Sequence, residues 1–290
     1  MANTRWTKYR VLVANKCNYR CPFCHNEGQE KQTKADLMLL DDFKKLVDLL
    51  ATEDIEELNI SGGEPFVNKH IVDMIEYADN HLTCDISCAT NLSSIHSEQI
   101  ERLAKTRIKF NIQFPFVTEK AFQESTGNGK LADILQNIQL VRNANIRIGL
   151  NTVVQNCNAA DYEQMIMFAI EKELPLKLLP QIGGKDSDKC KEFIIPILDK
   201  YSLEYKDKGC GALRWVLGKD GHHTSILYID SPCFYHDIET CRNFAEIRIH
   251  PDLSAQICIL KKSSEPLCFA NGIQFVKNQL QELWNDFTTC

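Results

Sequence analysis

Four side chains within nine residues of this 290-residue chain, CNYRCPFCH (Cys17–His25), are metal ligands by type: three cysteines and a histidine. Three chemistries fit them. The tail CPFCH has the spacing of a covalent haem attachment site. Cys17, Cys21, Cys24 and His25 make a Cys3His set for zinc. The CxxxCxxC spacing can instead place three thiolates on three corners of a [4Fe–4S] cubane, leaving a fourth iron open for a substrate or cofactor to chelate. Ligands adjacent in sequence, at 24 and 25, point with difficulty at one tetrahedral metal, which weighs against zinc.

Compartment separates these chemistries further. The N-terminus, MANTRWTKYRVLVANK, has no apolar signal-peptide core, and no window approaches the ~20 apolar residues of a membrane span. A cytoplasmic location is expected, where thiols stay reduced. Thirteen cysteines, an odd and high number, then point to metal or cluster ligation rather than to disulfides. Covalent haem attachment belongs with exported proteins and is demoted on the same ground. The net charge of −6 argues against nucleic acid or an anionic membrane as partner. A small anionic ligand met by a few arginines is still allowed.

The elements that must position the cysteines alternate in type. Strands are predicted at Tyr9–Ala14, Glu57–Ser61, Cys84–Ala89, Ile108–Phe114, Arg147–Val154 and Leu176–Gln181. Helical periodicity falls between them at Leu40–Leu50, Ile71–Asn80, Leu131–Asn143 and Ala159–Lys172. Asp41 and Asp42 favour the positive end of the first helix dipole. Six βα units predict a parallel sheet closed or partly closed into a barrel, with functional loops at the C-terminal strand ends. The cysteine stretch directly follows the first strand. The polar segment GGKDSDK (Gly183–Lys189) breaks the pattern, so we expect a barrel over 1–182 and a separate C-terminal unit over 183–290. In that unit, short strands at Ile226–Ile229, Glu246–His250 and Ala255–Leu260 and a hairpin turn at Pro251–Ser254 precede a final helix around Phe275–Phe287, expected to pack back on the barrel.

SGGEP (Ser61–Pro65) closes the second strand. Its glycines allow close backbone approach to a ligand, and Glu64 offers a carboxylate to an ammonium group. An ordinary glycine turn is the plainer alternative. CNYRCPFC together with SGGEP resembles the radical S-adenosylmethionine (SAM) superfamily. The resemblance implies an α/β fold, a partial (β/α)6 TIM-like barrel, with Cys17, Cys21 and Cys24 on a [4Fe–4S] cluster whose open iron is chelated by SAM. Phe23 stands where an aromatic residue is usual. Gly62, Gly63 and Glu64 match the segment that holds the SAM amino group. Thr90 and Asn91, in CATNLS, match a TNG-type segment with Leu92 in place of glycine. Gln113 replaces an expected serine, and Asn151 resembles a strand-ending asparagine; both are cofactor-site candidates, with a buried strand-edge asparagine the alternative at 151. Cys84, Cys88 and Cys157 read as small core residues.

Asn151–Ile182 and Ser231–Leu260 resemble the GTP cyclase branch of molybdopterin biosynthesis, whose C-terminal part binds a second [4Fe–4S] cluster. The resemblance matches Cys241 and Cys258 to ligands and Arg248 to a substrate arginine. Phe244 occupies the middle ligand position, and Cys233 is the replacement, giving a small α+β auxiliary-cluster (twitch-like) domain. Cys210 and Cys268 are candidates for a fourth ligand; Cys190 and Cys290 are unassigned. A zinc ribbon or scattered thiols is the alternative for this region. Glu246 stands where the cyclase branch has a second arginine, and the chain ends in WNDFTTC rather than Gly-Gly, so a relative with another substrate is expected.

The resemblance therefore implies an enzyme that reductively cleaves SAM to a 5′-deoxyadenosyl radical, which abstracts hydrogen from a substrate. An electron donor such as flavodoxin or ferredoxin is implied as partner. Arg248 and Arg242 are the candidates for binding an anionic group, with exposed strand arginines the alternative. The first strand begins about eight residues in, leaving no room for an N-terminal peptide-recognition domain. A small molecule (nucleotide, sugar or natural-product precursor) is therefore expected. Peptide maturation, or a non-catalytic iron–sulfur sensor, are the alternative functions.

Overall fold

The computed structural model describes residues 4–24, 35–155, 158–261 and 263–289. Six parallel strands, β1 (Lys8–Leu12), β2 (Glu57–Ser61), β3 (Asp85–Thr90), β4 (Lys109–Gln113), β5 (Arg147–Val154) and β6 (Leu176–Pro180), lie side by side in chain order. Helices α1 (Leu40–Leu50), α2 (Ile71–His81), α3 (Ser97–Leu103), α4 (Glu119–Thr126), α5 (Leu131–Asn143) and α6 (Ala159–Glu171) connect them. Strand periodicity divides the sheet. Tyr9, Val11, Leu58, Ile60, Phe110 and Ile112 are buried in the hydrophobic core, while Arg10, Ser61, Asn111 and Gln113 face a cavity on the opposite side. One strand face is thus apolar under the helices, and the other presents the polar side chains of the site.

Beyond residue 182 come α7 (Lys191–Lys200), β7 (Ser202–Asp207), β8 (Ala212–Lys219), β9 (His222–Ile229), α8 (Ile238–Phe244), β10 (Glu246–Ile249), β11 (Ser254–Gln256), β12 (Glu265–Pro266) and α9 (Ile273–Asp286). These strands extend the same sheet at both edges. β9 pairs parallel with β6, and β10 parallel with β1. The order is β12-β11-β10-β1-β2-β3-β4-β5-β6-β9-β8-β7, an open, partial barrel. The expected hairpin at Pro251–Ser254 joins β10 and β11 antiparallel. The expected strand Ala255–Leu260 is shorter, because turns take over after Gln256.

Helix α9 packs back on the start of the chain, as expected. Trp6 Nε1 donates to Leu280 O at 2.9 Å, and its ring meets Trp284 edge-on at 4.8 Å. Lys277 Nζ lies 2.6 Å from Glu53, with side chains 7% and 2% exposed. The terminal helix therefore buttresses β1, and with it the cysteine loop that follows β1.

Candidate functional site

A cavity of about 310 Å³ opens at the C-terminal ends of the parallel strands. The structure brings Cys17, Cys21, Cys24, Gly62 and Gly63 to it, together with Thr90, Asn91, Gln113, Asn151 and Arg248. These ten positions lie on six different strands or strand-end loops, so the fold gathers what the sequence scatters. Glu64, Arg242, Cys233, Cys241 and Cys258 are not in the cavity wall.

The cysteine loop is held by the loop after β3 and by the end of α4. Asn18 Nδ2 donates to Ser93 Oγ at 2.7 Å and Ser94 Oγ at 3.0 Å, and Asn91 Nδ2 donates to Asn18 Oδ1 at 2.7 Å. The Arg20 backbone N–H reaches Thr126 O at 2.9 Å, and its guanidinium donates to Cys17 O at 2.8 Å. The Tyr19 N–H points at Cys17 Sγ, 3.4 Å away, a donor that favours thiolate over thiol. Burial pushes the Cys17 thiol up to about 11. Burial, and then the neighbouring Cys17 and Cys24, push Cys21 up to about 12. Thiols that oppose one another's ionisation in this way suit a ligand set completed by cationic iron. Among the described residues no three His, Cys, Asp or Glu side chains converge on one metal ion. Three half-buried thiols on one loop supply the three protein corners of a cubane. The donors fit a [4Fe–4S] cluster. His25 lies outside the described residues.

The SGGEP turn runs against residues 14–16, just before Cys17. Gly63 N donates to Ala14 O at 2.8 Å, and Glu64 N to Lys16 O at 2.9 Å. Gly62 has φ +136°, and a Cβ there would sit 2.4 Å from Ala14 O. The first glycine is thus required by this backbone packing as well as by the cavity. Glu64 corrects the expectation placed on it. Its carboxylate is buried and accepts from Thr90 Oγ1 (2.7 Å), Asn91 N (2.7 Å) and Phe66 N (3.0 Å). Three donors occupy it, so it joins the β2 and β3 loops rather than meeting an ammonium group.

Leu92 explains the departure from the TNG-type segment. It has φ +60°, a left-handed conformation that suits glycine, and its side chain is fully buried. The conformation costs about 1–2 kcal/mol, which the burial of a leucine, about 1.5–3 kcal/mol, offsets. Gln113 Nε2 is buried with no hydrogen-bond partner among the described residues, in the cavity wall, where a bound acceptor would satisfy it. Asn151 also stands in the wall, its backbone carbonyl taken by Phe114 N at 2.9 Å.

Arg10 is the wall residue that the sequence reading missed. Its Nε and Nη2 reach the two carboxylate oxygens of Glu246, each at 3.1 Å. Arg248 Nη2 stands 3.6 Å from the same carboxylate. Burial works against the Arg10 charge, but Glu246 more than offsets it. For Arg248, burial and then the Arg10 charge press the guanidinium well below its ordinary range. A guanidinium keeps its proton in proteins. The strain is therefore electrostatic, and an incoming anion would relieve it.

Arg242 is corrected. Its Nη1 donates to Trp284 O at 2.9 Å and to Phe287 O, and its guanidinium lies 4.5 Å from the Trp284 ring centroid. It fastens α8 to α9 and is turned away from the cavity. Cys233 lies in a 3-10 turn (Pro232–Phe234), Cys241 in α8 and Cys258 just past β11, all half-buried. Ser231 and Ile259, flanking that group, reach the cavity wall. Cys84, Cys88 and Cys190 are buried, Cys268 is exposed, and no disulfide forms among the described cysteines. Cys157 and Cys290 lie outside the described residues.

The family model described as the radical SAM superfamily matches residues 11–169, more than half of the chain. The chain belongs to the radical SAM superfamily. Membership brings two cofactors, a [4Fe–4S] cluster and SAM, and it makes the protein an enzyme. This radical SAM enzyme is 27% identical over 263 residues to a GTP 3′,8-cyclase of Clostridium perfringens, covering 86% of this chain and 79% of the relative. A GTP 3′,8-cyclase of Mesorhizobium japonicum is 26% identical over 203 residues, 67% of this chain and 61% of the relative. Streptococcus suis SuiB bound to S-adenosylmethionine shares the fold with a TM-score of 0.71 at 13% identity, over 97% of this chain and 66% of SuiB. SuiB bound to its precursor peptide SuiA aligns equally well. The chain thus spans less than two thirds of the length of the Mesorhizobium relative and just under two thirds of SuiB. No helix among the described residues is long and apolar enough to cross a membrane.

Proposed function

We propose that this radical SAM enzyme acts on an anionic small molecule of the nucleotide class. The carrying observation is that one cavity is lined both by the three thiols and by Arg10 and Arg248, which share the carboxylate of Glu246. Cys17, Cys21 and Cys24 are the residues to hold the first cluster, and Gln113 and Asn151 are placed to contact SAM or substrate. When bound, the cluster supplies the electron that cleaves SAM to methionine and a 5′-deoxyadenosyl radical. The remaining work belongs to the chain. Asn18 and Glu64 fix the loops around the cofactors, the apolar wall residues Val153, Leu179 and Ile229 exclude water, and the two arginines orient the substrate anion.

Similarity to GTP 3′,8-cyclases favours a purine nucleotide, with GTP the first to try. Residues 183–290 are proposed as the twitch-like unit, with Cys233, Cys241 and Cys258 as ligands of a second [4Fe–4S] cluster. A flavodoxin or ferredoxin in a reducing cytoplasm would deliver electrons. Iron and sulfide counts on the wild type against a Cys17/Cys21/Cys24 triple-alanine variant test the second cluster, and a wild type holding one cluster removes it. Titration of nucleotides into the anaerobically reconstituted enzyme tests the substrate class. Arg248→Ala should weaken nucleoside triphosphate binding by about 10- to 100-fold, the loss of one charge-assisted contact. Absence of nucleotide binding, with tight binding of a peptide instead, would favour peptide maturation, the reading kept open by the SuiB fold.

A further inference from the structure

The two ends of the sheet are built differently. At one end, β12 is two residues long and contains Pro266, features that blunt an edge. At the other end β7, SLEYKD (Ser202–Asp207), is six residues long, proline-free and exposed along its whole length. Leu203 and Tyr205 are 69% and 52% exposed.

The outer rim of β7 has a definite pairing pattern. Lys208 N donates to Ala212 O at 2.8 Å, and 207 is in register with 213, 206 with 214 and 205 with 215. In an antiparallel ladder, hydrogen-bonded and non-hydrogen-bonded pairs alternate. Lys208 and Lys206 therefore bond toward β8, and the N–H and C=O of Tyr205 and Asp207 point outward. The close Tyr205–Trp215 ring contact, 4.8 Å between centroids, agrees with a non-hydrogen-bonded pair there. A bulge between Ser202 and Glu204 ends the regular stretch.

We propose that β7 pairs with β7 of a second copy of this chain, antiparallel about a twofold axis through Tyr205. That register makes Tyr205 face Tyr205 of the partner as a hydrogen-bonded pair, using the outward N–H and C=O. It then sets Glu204 against Lys206 of the partner, twice, in the flanking non-hydrogen-bonded pairs, where facing Cα atoms are only about 4.5 Å apart. Opposite charges directly across strands stabilise a pairing and like charges oppose it. Among the described residues neither Glu204 nor Lys206 has a salt-bridge partner. The strand is self-complementary in backbone direction and in charge at the same register, as an isologous twofold contact requires. The contact lies at the far end of the sheet from the β1–β2 loops that carry the cysteines and does not depend on the substrate proposed above.

The test is solution mass, by light scattering or sedimentation, on the full-length chain. Wild type should run as a dimer at micromolar concentrations. E204K and K206E should each be monomeric, because each creates two like-charge pairs across the axis. Mixing the two variants should restore a dimer, since both cross-strand pairs then become Lys–Glu. The double variant E204K/K206E should also dimerise. Tyr205→Pro should give a folded monomer by circular dichroism, because the N–H it removes points outward, away from β8. A wild type that stays monomeric to about 100 µM overturns the proposal, whatever other chain the edge then accepts. So does a dimer that E204K and K206E leave intact.

Discussion

Glu64 and Thr90 are joined by a 2.7 Å hydrogen bond from Oγ1 to Oε1, across the loops that end β2 and β3. The same carboxylate accepts from Asn91 N, and Asn91 in turn reaches Asn18 beside Cys17. A glutamate in the cofactor motif thus acts through backbone and loop rather than by touching the ligand. Burial pushes Glu64 up, against the three donors that favour the anion. Glu64→Gln exchanges one acceptor oxygen for a donor facing a backbone N–H or a hydroxyl. We expect a loss of about 1–3 kcal/mol in stability, read as a lower denaturation midpoint, together with weaker SAM binding. A variant with unchanged midpoint and unchanged SAM affinity would contradict the positioning role.

The Lys277–Glu53 pair is buried, and Glu53 also accepts the Thr4 N–H at 2.9 Å. Lys277→Ala strands a buried carboxylate, and a cost of about 3–5 kcal/mol is expected in chemical denaturation. Adding Glu53→Gln should recover a substantial part of that loss. A double variant no more stable than Lys277→Ala would show that the pair's charge is not what the terminal helix depends on.

Much of the barrel was legible because short strand-like segments alternate with helical periods, as in Leu40–Leu50 and Glu57–Ser61, which match the structure residue for residue. The cysteines and the glycine turn were legible as local spacings. What was lost depends on long-range pairing. Arg10 reads as a charged interruption of a strand until β10 lies beside β1 and supplies Glu246, 236 residues later. Arg242 read as a candidate for an anionic group, but the direction of α8 carries it to Trp284. Strand β7 escaped notice because its alternation rests on two apolar residues, Leu203 and Tyr205, too short a period to mark a strand beside a polar linker. Helix α7 was obscured by an internal proline, Pro196.

His250 is buried with Nε2 3.1 Å from Gln256 Oε1, and Nδ1 has no partner among the described residues. Burial pulls its proton affinity below the ordinary value of 6.5, with the Gln256 contact acting in the opposite sense. The unfolded chain therefore binds more protons, so stability rises with pH in this window. His250 contributes fully above about pH 6.5 and its contribution is lost as pH falls below that value. The denaturation midpoint should drop between pH 7.5 and pH 5, and less steeply in His250→Gln. Equal slopes for the two proteins would assign the pH dependence elsewhere.

The central claim is that the cavity beside Cys17, Cys21 and Cys24 cleaves SAM. The direct measurement is 5′-deoxyadenosine released after anaerobic reconstitution with iron, sulfide, a low-potential reductant and SAM. The wild type should release it, and the Cys17/Cys21/Cys24 triple-alanine variant should release none. A cluster-loaded wild type that gives no 5′-deoxyadenosine, or a triple variant that gives as much as wild type, would contradict the account.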